Sequence, residues 1–476
     1  ARIGPVSGGS MAQAQARPKP VLHPEYCKAC GRCIEACAHD AIAPGLEIHP
    51  ESGAVPVLLD LERCNGCGLC VDACPEPYGL VSADDAAWLA DAAARRAEAA
   101  WAARAPEDVP ASSIPLPPGL PLVVKGAHAG AIGALLAGCR HFFGYPITPS
   151  TEGAELMARL LPRLGGTFLQ ASSEVAAVNM MFGCGGAGRR AMTFTSSPGF
   201  SLMLEGISYL VGAEIPGVFV NVMRAGPGLG NVGPAQADIK LACRGLGHGD
   251  THAIVLAPAT PQEMLDFTML AFDLSFRYRN PVVILADGYL GQMTGRVVLP
   301  DRMVKPGLPG WAVAGDAAHR RNVLTSILLD TTDFEAHDAA LVAKYARMTA
   351  AEQRVGPLAC DDAEVLLLAC NTPAQIAKGA VRALRAEGIR AGLFRPQTIW
   401  PFPIRALLPM LQRVRRVVVV EASDGQLEDE LRLALSHAGA PPVQISHVRR
   451  LGGNLPAQRE IVDAVRRAAR GEGAAA

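Results

Sequence analysis

A doubled cysteine pattern near the start of the chain constrains its fold more than any other feature. Eight of the 13 cysteines stand between Cys27 and Cys74. They form two copies of one spacing: Cys27-x2-Cys30-x2-Cys33-x3-Cys37 and Cys64-x2-Cys67-x2-Cys70-x3-Cys74. Three cysteines in a tight loop can wrap three corners of a cubane iron–sulfur cluster, whereas the fourth lies too far along the chain to close the same cube. The spacing therefore predicts two [4Fe–4S] clusters in a small domain.

The fourth cysteine of each copy is expected to bind the neighbouring cluster. The predicted ligands are Cys27, Cys30, Cys33 and Cys74 for cluster I, and Cys64, Cys67, Cys70 and Cys37 for cluster II. Zinc fits less well, because a zinc site needs four ligands and usually pairs two C-x2-C knuckles or uses histidine. Disulfides need an oxidising compartment, which nothing in the sequence suggests. Ala38 stands where a proline often follows the fourth cysteine, yet all eight ligands are present.

The rest of the composition describes a chain that can bury large cores, since half of its residues are hydrophobic and 19% are charged. The 44 basic and 45 acidic side chains argue against a nucleic-acid partner bound by bulk electrostatics. No run of ~18 apolar residues occurs, so we expect no transmembrane helix. Residues 1–10 resemble a tag remnant. Five further cysteines in apolar sequence are predicted to be small core residues: Cys139, Cys184, Cys243, Cys360 and Cys370.

The changes in composition and residue pattern along the sequence predict five successive parts. Residues 21–80 form the two-cluster domain, an α+β unit, and residues 81–121 form a linker that is first helical and then proline-rich. Strand and helix patterns alternate over 122–300, which predicts an α/β domain with an open, mostly parallel sheet. A more polar connecting segment covers 301–360, and a second α/β unit covers 361–470.

Residues around Asp287 test whether the chain carries a thiamine-type metal site. Asp287-Gly288 is similar to the start of the Gly-Asp-Gly motif that holds Mg²⁺ and pyrophosphate in thiamine diphosphate enzymes. However, Ala286 replaces the first glycine, and the next asparagine, Asn322, comes too late in the sequence. The metal and pyrophosphate site is therefore not expected on this chain.

Five stretches resemble the α subunit of 2-oxoacid:ferredoxin oxidoreductases. The signature is Gly-Tyr-Pro-Ile-Thr-Pro-Ser-Thr-Glu at 144–152, and the others lie at 172–177, 195–199, 221–227 and 395–403. The resemblance covers about 120–476 and is closest to the branched-chain (2-ketoisovalerate) members, through Gly-Pro-Gly-Leu-Gly-Asn at 226–231 and the stretch 287–293. The 21–80 region resembles the two-cluster δ subunit of the family, here fused ahead of α.

The resemblance implies a fold and a reaction. The expected folds are a thiamine-enzyme pyrimidine-type domain followed by a transketolase C-terminal-like domain. The implied reaction is the oxidative decarboxylation of a 2-oxoacid with thiamine diphosphate, which passes the acyl group to coenzyme A and single electrons to the iron–sulfur clusters.

The resemblance also implies partners and a location. These are a β subunit that binds Mg²⁺ and pyrophosphate, a γ subunit, and a ferredoxin or a flavin/NAD subunit as electron acceptor. The complex is expected to be a dimer of heteromers in the cytoplasm.

Three residues of these stretches are implied to act at the reaction centre. Glu174 would hydrogen-bond the aminopyrimidine ring of the cofactor, while Arg224 and Thr148 would bind the substrate carboxylate. Each also has a plain structural interpretation. Glu174 could be an exposed glutamate at a helix N-terminus, Arg224 a surface arginine at a strand end, and Thr148 a simple turn residue between two prolines.

The signature loop is implied to lie beside the cofactor, with Tyr145, Pro146 and Ile147 shaping it. Asn231 and Gln236 are weaker candidates for the mouth of the substrate pocket.

Two alternatives stay open on the sequence alone. The substrate could be an aryl 2-oxoacid such as phenylglyoxylate or indolepyruvate, with the same machinery and a wider pocket. The chain could also be a pure electron-transfer module with a catalytically dead α/β scaffold. Glu174, Thr148 and Arg224 together argue against the second alternative, because a dead scaffold does not need all three.

Overall fold

A computed structural model describes residues 18–50, 52–76, 79–86, 111–119, 121–319 and 322–470. The chain divides into two compact units, residues 1–102 and 103–476. Residues 1–10 and most of the helix predicted in the linker lie outside the described residues. Over the described part of the chain, no helix is long and apolar enough to cross a membrane.

The first unit is a small α+β fold with two antiparallel strand pairs, β1 with β4 and β2 with β3. Its core consists of Cys33, Ile42, Val57, Cys70 and Leu80. The elements are β1 (Pro20–Leu22), α1 (Arg32–Glu35), β2 (Ile42–Pro44), β3 (Val57–Leu59), α2 (Leu69–Ala73) and β4 (Leu80–Ser82).

The second unit is built on a seven-stranded sheet in the order β17-β11-β12-β10-β9-β7-β8. All of its pairings are parallel except that of the edge strand β17. The strands are β7 (His141–Gly144), β8 (Thr167–Gln170), β9 (Ala191–Thr195), β10 (Gly217–Met223), β11 (Ile254–Leu256), β12 (Pro281–Asp287) and β17 (Thr398–Trp400).

Helices connect and cover these strands. They are α3 (Gly126–Leu136), α4 (Thr151–Leu160), α5 (Glu174–Gly186), α6 (Ser197–Leu202), α7 (Leu204–Gly212), α8 (Ile239–Arg244), α9 (Pro261–Tyr278), α10 (Gly288–Gln292) and α11 (Thr331–Ala351). The central strands β10 and β12 are buried at every position, as their near-continuous apolar runs require in a sheet covered on both faces.

A second, four-stranded parallel sheet has the order β16-β15-β18-β19. Its strands and helices are β15 (Val365–Leu368), α12 (Asn371–Ala386), β16 (Ala391–Phe394), α13 (Ile404–Leu407), β18 (Arg416–Glu421), α14 (Gln426–His437), β19 (Gln444–Arg449) and α15 (Gln458–Ala469).

The two sheets of the second unit are joined more closely than the sequence predicts. Strand β17 leaves the second α/β segment and pairs antiparallel with β11 of the first sheet. Arg395 forms a bidentate ion pair with Glu263 of α9, with N–O distances of 2.9 and 2.5 Å. One continuous apolar core includes side chains from both segments, such as Phe142 and Phe394.

Two short strand pairs also differ from the expected layout. Strand β5 (Ala111–Pro115) lies in the stretch expected to be a proline-rich spacer, yet it pairs antiparallel with β14 (Arg302–Pro306). Strand β6 (Leu122–Lys125) pairs with β13 (Thr294–Val297) in a separate two-stranded sheet rather than in the main one. Both partners are far away in the sequence, so no local pattern indicates these pairings.

The five scattered cysteines are free thiols, and four of them are buried as predicted. Cys184 is only half-buried.

Candidate functional site

The candidate residues of the second unit collect at one edge of the seven-stranded sheet. The 145–149 loop follows β7, Glu174 follows β8, Ser197 follows β9 and Arg224 follows β10. These strands are parallel, so their carboxyl ends meet at the same edge. In open parallel sheets this edge is where ligands bind.

Arg224 is a buried cation held by backbone carbonyls, with a side chain that is 9% exposed. Its Nη1 donates to the Thr148 carbonyl at 2.9 Å, and its Nη2 donates to the Leu229 carbonyl at 3.1 Å. No acidic side chain among the described residues forms an ion pair with it, and its Nε is buried without a partner. The guanidinium therefore ties two loops together and keeps N–H groups that can bind an anion.

The 145–149 loop presents three of its side chains to solvent, while Pro149 is buried. Tyr145, Pro146 and Thr148 are exposed, and Ile147 is half-buried. The Thr148 hydroxyl has no hydrogen-bond partner in the described part of the chain, whereas its carbonyl accepts from Arg224. Ser150 donates from Oγ to the Ile147 carbonyl at 2.7 Å and so holds the turn closed. The structure thus brings Thr148 and Arg224 together and leaves the threonine hydroxyl available.

The sequence analysis missed a buried carboxylate, Asp238, which supports Arg224 through a hydrogen-bonded serine. Asp238 accepts from Ser197 Oγ at 2.5 Å and from Asn221 Nδ2 at 2.9 Å. Ser197 Oγ in turn accepts from the backbone N–H of Arg224 at 3.0 Å. Burial raises the pKa of Asp238, and the hydrogen bonds from Ser197 and Asn221 oppose that rise. The sequence does contain one indication of a buried polar partner here, because Asn221 is a polar residue inside an otherwise apolar strand.

Glu174 lies in the first turn of α5 and is 5% exposed, which does not fit an exposed glutamate at a helix end. Ser173 caps this helix by accepting from the Ala176 N–H at 3.2 Å. No hydrogen bond to the Glu174 carboxylate comes from a described residue. A Cβ at Gly199 would lie 2.4 Å from Glu174 Oε1, so only glycine leaves room for the carboxylate.

Further polar atoms near this edge are buried and unpartnered among the described residues. They include the hydroxyls of Thr195 and Ser196, which follow each other at the end of β9. A Cβ at Gly199 would also lie 2.4 Å from Thr195 Oγ1, so this hydroxyl and the Glu174 carboxylate flank the same glycine. A buried carboxylate with such neighbours fits a ligand that brings its own nitrogen donors.

Asp287 has a structural role at the end of β12. Its carboxylate accepts from the N–H groups of Tyr289 and Leu290 and from both the N–H and the hydroxyl of Thr372, at 2.8 to 3.0 Å. Burial raises the pKa of Asp287. The four donors occupy the carboxylate and anchor the second α/β segment to the first.

Gln236 does not line a substrate mouth. Its side chain is fully buried, donates to the Cys370 carbonyl at 3.2 Å and accepts from the Ala422 N–H at 2.8 Å. Asn231 is exposed and donates to the Gly452 carbonyl at 2.9 Å. Both residues attach the loop after Arg224 to the second α/β segment, so they position this loop.

In the first unit, the eight cysteines surround two cavities in the predicted groups. Cys37, Cys64, Cys67 and Cys70 line one cavity. Cys27, Cys30, Cys33 and Cys74 line the other. All eight are free thiols, so the donor chemistry and the grouping fit two clusters.

Two glycines shape the cysteine loops. Gly31 and Gly68 stand in the same place in the two copies and have φ values of 74° and 84°, which let the chain turn into α1 and α2. Burial raises the pKa of Cys33, and it raises the pKa of Cys70 to about 11. Iron must therefore displace protons from these thiols when it binds.

Comparisons with known proteins give the chain a family. Residues 132–355 match the family described as pyruvate flavodoxin/ferredoxin oxidoreductase, thiamine diphosphate-binding. Residues 363–461 match pyruvate:ferredoxin oxidoreductase core domain II, and residues 26–78 match a 4Fe-4S dicluster domain. The ketoisovalerate oxidoreductase subunit VorB of Methanothermobacter thermautotrophicus is 45% identical over 349 residues, which cover 73% of this chain and 97% of that protein.

The chain belongs to the 2-oxoacid:ferredoxin oxidoreductase family. The 2-oxoglutarate synthase subunit KorA of Methanocaldococcus jannaschii is a more distant relative, 34% identical over 72% of this chain and 98% of its own length. A solved 2-oxoglutarate:ferredoxin oxidoreductase from Magnetococcus marinus, with 2-oxoglutarate, coenzyme A and succinyl-CoA bound, has a TM-score of 0.66 at 25% identity. That match covers 73% of this chain and 65% of the other.

Family membership confirms the predicted fold class and cofactors. In this 2-oxoacid:ferredoxin oxidoreductase subunit, a dicluster domain that binds two [4Fe–4S] clusters precedes a thiamine diphosphate-binding domain and core domain II. Its relatives are subunits, so partner subunits are implied.

Proposed function

We propose that this chain is the pyrimidine-side subunit of a CoA-acylating 2-oxoacid:ferredoxin oxidoreductase that acts on a branched-chain 2-oxoacid. The observation that carries the proposal is Arg224, a buried guanidinium with no carboxylate partner among the described residues. It lies at the same sheet edge as the buried carboxylate of Glu174. The branched-chain assignment is supported by the 45% identity to a ketoisovalerate oxidoreductase subunit.

Glu174 is proposed to hold the cofactor ring. When bound, thiamine diphosphate supplies the carbanion chemistry that decarboxylates a 2-oxoacid. The Glu174 carboxylate would hydrogen-bond a nitrogen of the aminopyrimidine ring and hold the proton that this ring needs to shift to its imino form. Its low exposure and the close approach of Gly199 support this role, since both restrict where the carboxylate can lie.

Arg224 and Thr148 are proposed to bind the substrate carboxylate. The two carbonyls that Arg224 bonds orient its guanidinium, so its remaining N–H groups can pair with the anion in a fixed direction. The Thr148 hydroxyl can add a further hydrogen bond. Tyr145, Pro146 and Ile147 would form the wall of the loop beside the cofactor.

The eight cysteines are proposed to bind the clusters in the two groups that line the cavities: Cys27, Cys30, Cys33 and Cys74 for cluster I, and Cys64, Cys67, Cys70 and Cys37 for cluster II. Each cluster would accept and pass on one electron at a time. The division into 21–80, 81–121, 122–300, 301–360 and 361–470 is kept as a proposal for the organisation of the chain.

Partner subunits would complete the enzyme. A β subunit is proposed to bind Mg²⁺ and the pyrophosphate, because Asp287 is occupied by four donors of this chain. A γ subunit, a ferredoxin or flavin/NAD subunit as electron acceptor and a dimer of heteromers complete the proposal. Coenzyme A as acyl acceptor is supported by the Magnetococcus relative, which binds it. We propose a cytoplasmic location, where thiols stay reduced.

The test is anaerobic turnover of the purified complex with a panel of 2-oxoacids, thiamine diphosphate, Mg²⁺, coenzyme A and a viologen dye. We expect the fastest dye reduction with 2-ketoisovalerate. Faster reduction with phenylglyoxylate or indolepyruvate would move the assignment to an aryl enzyme. If a complete complex with intact clusters fails to reduce the dye with every 2-oxoacid of the panel, the catalytic proposal is overturned and an electron-transfer module is favoured.

A further inference from the structure

Each cysteine group carries a polar pair at equivalent positions in the two copies. Lys28 directly follows Cys27, and Asn65 directly follows Cys64. Glu76 is the second residue after Cys74, and His39 is the second residue after Cys37.

In both groups the two equivalent positions are in contact. Lys28 Nζ lies 2.7 Å from Glu76 Oε2, and Asn65 Nδ2 lies 2.8 Å from His39 Nε2. The first pair lines the cavity of Cys27, and the second pair lines the cavity of Cys37. Each pair therefore connects the loop of three close cysteines to the segment that brings the fourth.

The two pairs have the same placement but different charge. Lys28 and Glu76 form an ion pair, whereas an amide and an imidazole form the other pair. The hydrogen-bond contacts of the cysteine sulfurs also differ between the two groups. Cys37 and Cys64 accept from the N–H groups of Ala41 and Gly66, both at 3.4 Å, while Cys74 Sγ lies 3.3 Å from the Glu76 carbonyl.

We propose that each pair is a latch that holds the fourth cysteine against its cluster, and that the charges of the Lys28–Glu76 latch set the reduction potential of cluster I separately from that of cluster II. The proposal rests on the ligand groups of the proposed function. N–H donors to sulfur and nearby charge both change the potential of a cluster. The two donors to Cys37 and Cys64 give cluster II the higher potential, because they stabilise the more negative reduced state.

The test of the charge effect is an EPR-monitored redox titration of the assembled, anaerobic complex. Lys28→Met leaves the Glu76 carboxylate alone beside cluster I, so its potential should become more negative. Glu76→Gln leaves the Lys28 cation alone, so the same potential should become more positive. Cluster II should keep its potential in both variants, and the charge-preserving Lys28→Arg should shift neither cluster. Shifts in the same direction, or no shift, would overturn the proposal.

The second cluster provides the matched variants. Asn65→Asp introduces a carboxylate beside cluster II, at the position equivalent to Lys28, and should lower the potential of cluster II only. His39→Leu removes the hydrogen bond to Asn65 without adding charge, and it leaves the bond from the Cys67 N–H to Asn65 Oδ1 in place. It should speed iron loss to a chelator roughly 2- to 10-fold, the effect of one net hydrogen bond. Equal rates of iron loss in His39→Leu and the unmodified complex would contradict the latch.

A cysteine variant separates this proposal from the ligand assignment. Cys74→Ser should alter the same EPR signal that Lys28→Met shifts. If it alters the other signal, the ligand assignment is wrong. If the ligand groups hold but no 2-oxoacid is turned over, the proposed function fails while the latch stands, because the titration needs no substrate.

Discussion

Arg224 donates from Nη1 to the backbone carbonyl of Thr148 at 2.9 Å, although 76 residues separate them. The bond joins the loops after β7 and β10, two strands separated by β9 in the sheet. A long, planar guanidinium can reach both this carbonyl and that of Leu229, which an ammonium group on a shorter stem cannot do with the same geometry. The shape of the candidate site thus depends on one side chain.

Arg224→Lys should therefore raise the KM for the 2-oxoacid strongly. Hydrogen bonds to charged groups contribute about 1.5–3 kcal/mol each. Their loss should therefore lower kcat/KM by roughly 100-fold. Steady-state kinetics of the assembled complex measure it. Arg277→Lys is the matched control, since Arg277 is partly exposed on α9 and, among the described residues, forms its ion pair with Asp273 at 2.8 Å. An unchanged KM in the Arg224 variant would remove this residue from the substrate site.

Glu174→Gln should separate activity from stability. We expect turnover to fall by roughly 100-fold or more, as for loss of a group that handles a proton, while both cluster EPR signals persist. The thermal midpoint of the chain should change little, because no hydrogen bond from a described residue to this glutamate is lost. Glu205→Gln is the control, an exposed glutamate in the first turn of α7. A fully active Glu174→Gln enzyme would contradict the cofactor role.

Gly199→Ala tests the space beside Glu174. The added Cβ would stand 2.4 Å from the carboxylate oxygen, so it should displace the carboxylate and weaken thiamine diphosphate binding. Cofactor titration by tryptophan fluorescence or calorimetry measures this change. Gly183→Ala is the matched control on α5, where a Cβ would meet nothing within 4 Å. That variant should bind normally and gain up to about 1 kcal/mol of helix stability.

Lys344 should make the free energy of unfolding depend on pH in the alkaline range. It is 3% exposed, pairs with Glu214 at 3.3 Å, and burial lowers its pKa to about 8. Between this value and the ordinary value of 10.5, the unfolded chain binds more protons than the folded chain, so folding becomes more favourable as pH rises.

The measurement compares thermal midpoints of the unmodified chain and Lys344→Met from pH 7 to 10.5. The unmodified chain should gain stability relative to the variant across this window. Lys305→Met, at an exposed position on β14, should show a flat difference. A flat difference for Lys344→Met as well would contradict the lowered pKa.

Local sequence patterns predicted those parts of the fold that are decided locally. The alternation of strand and helix patterns over 122–300 predicted an α/β domain, and its apolar run at 217–223 forms β10, because a strand buried on both faces is nearly all apolar. The edge strand β17 and the pair of β5 with β14 were not predicted. Their hydrogen bonds go to strands far away in the sequence, which no local pattern reveals.

The candidate site also contains residues that the sequence indicated correctly and residues that it did not. Family resemblance indicated Glu174, Arg224 and Thr148, and the structure collects them at one sheet edge. Gln236 was placed wrongly, because a loop glutamine gives no sign of whether its amide faces a pocket or another segment. Here it is buried against Cys370 and Ala422.

The sequence by itself determined the two groups of four cysteines, because the length of chain between thiols limits which of them can reach one cluster. Only the tertiary structure decided that Asp238 supports Arg224 through Ser197. That chain of hydrogen bonds joins residues 27 and 41 positions apart. It exists because the parallel register of β9 and β10 brings the two strand ends side by side.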